Sequence, residues 1–480
     1  MLFNSFQFVW FFPLVVLVHF ALPHRFRWAW LLAANYYFYM CWRAVYALLL
    51  LGSTTLTYVT GILIGKAETQ AARRAWLTVS LVGNLGLLFF FKYLNFANES
   101  LRALFEHLHL AYAVPALHIL LPVGISFHVF QSISYDMDVY RRRMPPERHF
   151  GMFAVYNSFF PQLVAGPIER AINLSPQFRK HLRFNPESAA WGLKLMLWGM
   201  FKKVVIADRL AQFTDPVFDH PAGHTGASLL LATYFFAFQI FCDFSGYTDI
   251  AIGAAKVMGF DLMKNFNRPY FAPNVADFWR RWHISLSTWF KDYLYFPLGG
   301  NRVGRARWCL NILIVFVVSG LWHGANWTYL IWGVLHGLYL VVGELGQGVR
   351  ARLAAVVGLD RHPVLGRALG ILVTFHLVLF AWVFFRARSM HDALYIIRTI
   401  ASGLGTIGSD KLLPSGSRVA SSILLICLLE LVDSVQARPA VWSALIRAPR
   451  VWRWAAYLAL LLSVLNLRPA QVSPFIYFQF

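Results

Sequence analysis

Between Arg307 and Gly343 the chain reads RWCLNILIVFVVSGLWHGANWTYLIWGVLHGLYLVVG. From Trp308 onward these are 36 residues without Lys, Arg, Asp or Glu. As one α-helix the run would be about 54 Å long, against a hydrocarbon core of roughly 30 Å. It must bend. Gly320, Gly324 and Asn326 mark the place, because glycine permits the turn and a polar side chain takes up freed backbone groups. Flanks of about 15 residues, or about 22 Å each, leave room for that break inside the membrane. His323 sits in it. An imidazole can take or give a proton near neutral pH, and an ionisable group in an apolar segment is a functional candidate. The alternative is a ring that bonds a carbonyl at a helix turn.

The rest of the chain has the same character. Of 480 residues, 58% are hydrophobic and 14% charged, and the mean hydropathy is +0.53. A soluble domain carries about 25% charged residues. An ordinary cytosolic enzyme, a secreted mini-domain, a coiled coil and a disordered tail are all disfavoured, leaving a polytopic membrane protein. Apolar spans are expected near 3–22, 28–42, 44–65, 76–94, 117–139, 189–207, 227–247, 308–322, 325–345, 366–385, 418–435 and 452–467. Interruptions put the count at about 10–13. Residues 1–22 lack a basic n-region and a cleavage site and read as a retained first span. The region 150–180, broken by Pro161 and Pro167, reads as re-entrant or buried irregular chain. Segments 346–364 and 403–418 read as loops, and 1–480 as a single polytopic domain.

The net charge of +21 comes from 43 Lys and Arg against 22 Asp and Glu. These cations fall in short loops between apolar runs, where they set topology and meet anionic lipid; no basic stripe suggests nucleic acid. Arg25 and Arg27, then Lys66, Arg73 and Arg74, then Arg141, Arg142, Arg143 and Arg148 occupy alternate loops. The intervening loops hold only Arg43, then Lys92 and Arg102. The positive-inside rule therefore places the N-terminus outside the cytoplasm. Cys41, Cys242, Cys309 and Cys427 are far apart and read as small buried hydrophobes, with no disulfide framework and no metal site.

A second polar region is Asp277 to Gly300, DFWRRWHISLSTWFKDYLYFPLGG. Trp279, Trp282 and Trp289 alternate with Arg280, Arg281 and Lys291, as in a helix lying at the headgroups. His283 can point inward from such a helix. Gly299, Gly300 and Asn301, followed by Arg302, Arg305 and Arg307, suit a turn that holds a phosphorylated ligand. Asp243, Ser245, Tyr247 and Asp249 either line a cavity or pair within the bundle. His128 with Gln131, and His336, read as core hydrogen-bonding residues.

Taken together, several stretches resemble the signature of membrane-bound O-acyltransferases (MBOAT). They are Trp279–Trp289, Asp292–Tyr295, Leu298–Arg302 and Gly320–Gly324. Within that superfamily they resemble the bacterial alginate O-acetyltransferase (AlgI) type. Leu121–Phe127, Phe160–Pro167, Asp243–Asp249 and Phe475–Phe478 fit in order along nearly the whole chain. His128 departs from the pattern, where an aromatic such as Tyr is frequent. The resemblance implies an all-α MBOAT-like bundle with re-entrant segments and a central tunnel. His323 maps onto the family's key histidine and His283 onto its second motif position.

The resemblance further implies acyl transfer from a thioester to a hydroxyl. The donor would be cytoplasmic acetyl-CoA or an acetylated carrier, with no bound cofactor. His323 would serve as general base, and His283 would orient the donor or stabilise the oxyanion. Arg280, Arg281, Trp322, Asn326, Asn301 and Arg302 are the substrate-binding candidates. Implied partners are a periplasmic SGNH-like acetyltransferase, polysaccharide export machinery and the bilayer of the bacterial inner membrane. D-alanyl transfer to teichoic acid is the alternative chemistry. A proton-coupled exporter is a third reading, although the inverted repeats frequent in transporters are not evident.

Overall fold

The longest apolar run does turn, and it turns at the glycines. In the computed structural model Arg305–His323 is one helix and Trp327–Leu345 the next. Gly324 is extended, and the Asn326 side-chain oxygen accepts from the Thr328 N–H at 3.0 Å to cap the second helix. The two helices then pack back on each other. A Cβ on Gly320 would lie 2.3 Å from the Tyr329 carbonyl oxygen, and one on Gly333 2.2 Å from that of Phe316. Only glycine permits that approach. Each arm has 19 residues, or about 28 Å, nearly the full hydrocarbon core. The arms exceed the expected length because Arg305–Arg307 and Glu344–Leu345 are also helical. The turn, with His323, therefore lies at one end of a span-length hairpin instead of within a shorter bent span.

The structure describes residues 1–117, 120–164, 166–404, 416–469 and 475–476. Every regular element among them is helical. Among the described residues seven helices are long and apolar enough to cross a membrane: Tyr46–Lys66, Gln70–His107, Gly226–Val257, Arg305–His323, Trp327–Leu345, Pro363–Arg386 and Gly416–Gln436. The five other expected spans appear as shorter or composite helices: Phe6–Ala21, His24–Met40, Ile125–Tyr140, Pro186–Met200 continued by a π-helical stretch Phe201–Ala207, and Arg450–Asn466. The 117–139 span starts late, at Ile125. Gly124 before it has φ +75, and a Cβ there would lie 2.5 Å from the Leu163 carbonyl oxygen. Region 150–180 is broken as expected, into Phe150–Ser158, Phe160–Leu163 and Ala171–Phe178. Most of the loop read over 403–418, and Ala165, Tyr477 and Phe478 of the family motifs, lie outside the described residues.

The chain divides into two compact units: Met1–Met196 with Ile250–Met263, and Leu197–Asp249 with Lys264–Phe480. Within the second, the polar run 243–249 pairs inside the bundle. The π-helical stretch carries two consecutive lysines. Lys203 Nζ lies 2.6 Å from Asp243 and 2.7 Å from Asp208, and Lys202 Nζ lies 2.6 Å from Asp249 and 2.9 Å from Ser245 Oγ. Asp243 also accepts from the backbone N–H of Ile476 at 2.7 Å, which fastens the far end of the chain. Buried charges are kept in partnership, as their desolvation requires. Of the cysteines only Cys242 is buried; Cys41 and Cys427 are exposed on an apolar surface.

Candidate active site

His283 stands at a break that the sequence does not announce. Asp277–Gly300 was expected to carry an interfacial helix. It folds instead as two short helices, Val275–Arg281 and Ile284–Phe290, with His283 between them in the left-handed region at φ +42. Trp279, Trp282 and Trp289 are buried at 9%, 1% and 6% exposure, so they are core residues and not headgroup anchors. A non-glycine residue in this region is uncommon and needs an anchor. Asn265 supplies it. Its backbone carbonyl accepts from Ile284 N–H at 2.9 Å. Its side-chain oxygen accepts from Ser285 N–H at 3.1 Å, from Ser285 Oγ–H at 2.9 Å and from His283 Nδ1 at 3.2 Å.

That arrangement fixes the imidazole. Because Asn265 Oδ1 is an acceptor, Nδ1 carries the proton and Nε2 is the basic nitrogen. The ring is fully buried, with Phe244 edge-on at 4.6 Å. His283 lies outside the seven spans, and burial pushes it down to about 3, so it is neutral.

His323 ends the first arm of the hairpin and is 3% exposed. Trp322 and Trp332 meet its ring at 5.0 Å, both edge-on, and Phe385 of Pro363–Arg386 meets it at 5.4 Å. Gly324 makes room beside it; a Cβ there would collide with the Tyr329 ring at 2.1 Å. Trp322 also reaches His283, ring centroids 6.1 Å apart. One indole therefore touches both candidate histidines, joining two motifs that are 40 residues apart in sequence (283 to 323). An imidazole within a mostly aromatic, low-dielectric wall is suited to proton transfer, since partial charges act strongly there.

The other candidates separate from this centre. Asn326 is a helix cap, and its amide nitrogen donates to the Arg388 carbonyl at 3.1 Å. Arg281 pairs with Asp277 at 2.7 Å, one helical turn before it. Arg280, Asn301 and Arg302 are exposed. Gly299 and Gly300 form the expected turn at φ +103 and +56, conformations that glycine adopts readily. Asn311, fully buried, pins that turn by donating to the carbonyls of Leu298 at 3.1 Å and Gly300 at 3.3 Å. His336 accepts from Trp279 Nε1–H at 3.2 Å and is a core residue. Sequence reasoning missed Asn265, Asn311, Trp332 and Phe385. Only the Gly299-Gly300-Asn301 turn signal, whose carbonyls Asn311 holds, could have pointed to one of them.

The geometry is matched by similarity. Residues 143–385 match the model of the membrane-bound O-acyltransferase family. A probable alginate O-acetylase of Pseudomonas putida is 37% identical along the whole length of both chains. A peptidoglycan O-acetyltransferase of Helicobacter pylori is 37% identical over 77% of this chain and 72% of its own. A teichoic acid D-alanyltransferase of Streptococcus thermophilus stands further off, 28% identical over 55% of this chain and 68% of its own. The chain belongs to the membrane-bound O-acyltransferase family. It is a multi-pass membrane O-acyltransferase, similar within that family to enzymes that transfer acetyl groups.

Proposed function

We propose that this protein moves an acetyl group from a cytoplasmic thioester, acetyl-CoA or an acetylated carrier, across the bacterial inner membrane for O-acetylation of an exopolysaccharide of the alginate kind. The observation that carries the proposal is the pairing of His323 and His283 through Trp322, in a chain similar from end to end to an alginate O-acetylase. The N-terminus faces the periplasm, so the basic loops are cytoplasmic. In the chemistry, the acceptor oxygen bonds to the thioester carbon while His323 takes the hydroxyl proton. The carbon–sulfur bond then breaks and the proton passes to the thiolate. General base catalysis of this kind contributes typically about 10²–10⁴-fold.

His283 has a narrower role than the oxyanion donor the sequence suggests. With Nδ1–H committed to Asn265, its Nε2 accepts a hydrogen bond and does not give one. It therefore orients the donor, for example by accepting an amide N–H of a pantetheine arm. Arg280 and Arg302, both exposed, attract the donor's phosphates. The acceptor is either the sugar hydroxyl itself or a serine of an SGNH-like periplasmic partner working with the export machinery.

Membranes containing the protein, incubated with labelled acetyl-CoA and purified periplasmic extract, test the reading. Acetyl label on polymer or on an extract protein is the expected result. Transfer of D-alanine from an alanylated carrier, with no acetyl label, would instead establish the teichoic acid chemistry of the more distant relatives.

A further inference from the structure

Phe385 walls His323 from outside the hairpin. It belongs to Pro363–Arg386, and its ring also meets Tyr329 at 5.0 Å, Trp382 at 5.1 Å and Trp332 at 5.3 Å. The imidazole is thus held between its own hairpin and the end of a neighbouring helix. Where that helix ends decides how closely Phe385 approaches the ring.

Arg386 is the last residue of that helix. Its Nη2 lies 3.0 Å from Asp215 Oδ1 and 3.2 Å from Asp219 Oδ1, two carboxylates one turn apart on Asp208–Asp219. Its guanidinium carbon sits 5.5 Å from the centre of the Phe218 ring, on the same helix. A cation that only marks the end of a span snorkels into water. The Arg386 side chain is 10% exposed and turns instead onto its neighbour. Arg388 gives the contrast, since it pairs with Asp219 at 2.9 Å and is 59% exposed. Asp219 closes its own helix, where the helix dipole disfavours an anion, so this carboxylate depends on the cations beside it.

Beyond Arg386 the chain ties back to the turn of the histidine. Ala387 is extended and buried, and the carbonyl of Arg388 accepts from the Asn326 amide at 3.1 Å. Asn326 is also the cap of the second arm. The helix end that carries Phe385 is therefore fastened twice. The Arg386 side chain fastens it to Asp208–Asp219, and the backbone at Arg388 fastens it to the turn just after His323.

We propose that Arg386 is a positioning residue for His323: clamped by Asp215 and Asp219, it holds the Phe385 ring against the imidazole. Its effect on rate rests on the role given to His323 above; its effect on the ring rests on the packing alone. A single nitrogen makes both carboxylate contacts, so an ammonium can stand in for the guanidinium here. Without a cation the two carboxylates lose their shared partner, the helix end is released and the wall opens.

Two readouts on the purified full-length protein test this. The first is modification by diethyl pyrocarbonate at fixed pH, read at each histidine by mass spectrometry. His323 and His336, both buried, should react slowly in the wild type. Arg386→Met should speed the reaction at His323 several-fold and leave His336 unchanged. Arg386→Lys and Arg388→Met should stay near the wild type. Asp215→Asn, a milder lesion that keeps the Asp219 contact, should move His323 in the same direction by a smaller factor. The second readout is acetyl transfer. Arg386→Met should lower kcat about ten- to a hundredfold with the donor KM held, and Arg386→Lys should restore most of it. Unchanged labelling of His323 in both Arg386→Met and Asp215→Asn, or labelling that rises equally at His336, overturns the proposal. So does faster labelling with kcat unchanged, in a protein that His323→Gln inactivates. Activity retained in His323→Gln would instead count against the base, and the labelling would then decide the clamp by itself.

Discussion

Two buried histidine neighbourhoods in this molecule are built on opposite plans. His128 has a polar partner at each ring nitrogen, the Asn157 carbonyl and Ser53 Oγ, and sits in a chain of hydroxyls and amides. His283 has one nitrogen tied by Asn265, and Phe244 and Trp322 flank its ring; His323 is wrapped by Trp322, Trp332 and Phe385. A histidine whose two nitrogens are both spoken for holds structure. A histidine set among aromatic rings lies in surroundings that magnify each partial charge, which is what the proposed chemistry needs.

The aromatic centre depends on the hairpin that presents it, and the largest effect should come from there. Gly320→Val or Gly333→Val sets a side chain against a backbone carbonyl 2.2–2.3 Å away. Both should abolish folded protein in membranes, read as loss of a monodisperse peak on solubilisation, whereas Gly343→Val, whose Cβ meets nothing within 4 Å, should be tolerated. Next comes the anchor. Asn265→Leu removes the three hydrogen bonds that its side-chain oxygen accepts and the one that its amide donates to Thr248 Oγ1, and should cost about 1–3 kcal/mol of stability. It should also lower acyl transfer as far as His283→Ala does; a variant with intact activity would separate Asn265 from the site. The polar rim follows. Arg280→Ala and Arg302→Ala should raise the donor KM a few-fold with kcat held, and added salt should erase the difference.

The smallest effect is one of pH. The folded His283 titrates at about 3, below its ordinary value near 6.5. Between those values the unfolded chain binds more protons, so the stability contribution is complete above pH 6.5 and is lost as pH falls. From pH 6.5 to 5 that loss is about 2 kcal/mol. His283→Asn should therefore show a shallower fall of its thermal midpoint over this window than the wild type.

How much of this the sequence could disclose follows from the range of each interaction. The bend at Gly320–Asn326 is written locally, in an apolar run too long for a bilayer and interrupted by glycines, and it appears where expected. The arm length was misjudged because Arg305 and Arg307 extend the helix beyond its apolar part. The Trp and Arg alternation of 279–291 was misleading for a related reason. Periodicity signals a helix, but the break at His283 is imposed by Asn265, 18 residues upstream, with no local mark. The hydrogen-bonded network in the first unit joins Ser53, Ser80, Asn84, His128 and Asp136, residues whose spacing carries no signal until three helices meet.

The proposed chemistry rests on His323 as the base. Substituting His323→Gln in a strain lacking its own copy, with protein level matched by immunoblot, and counting acetyl groups on the exported polymer is the direct measurement. Acetylation should fall by at least about a hundredfold, with a milder loss for His283→Ala. Acetylation at the wild-type level in the His323→Gln strain would contradict it.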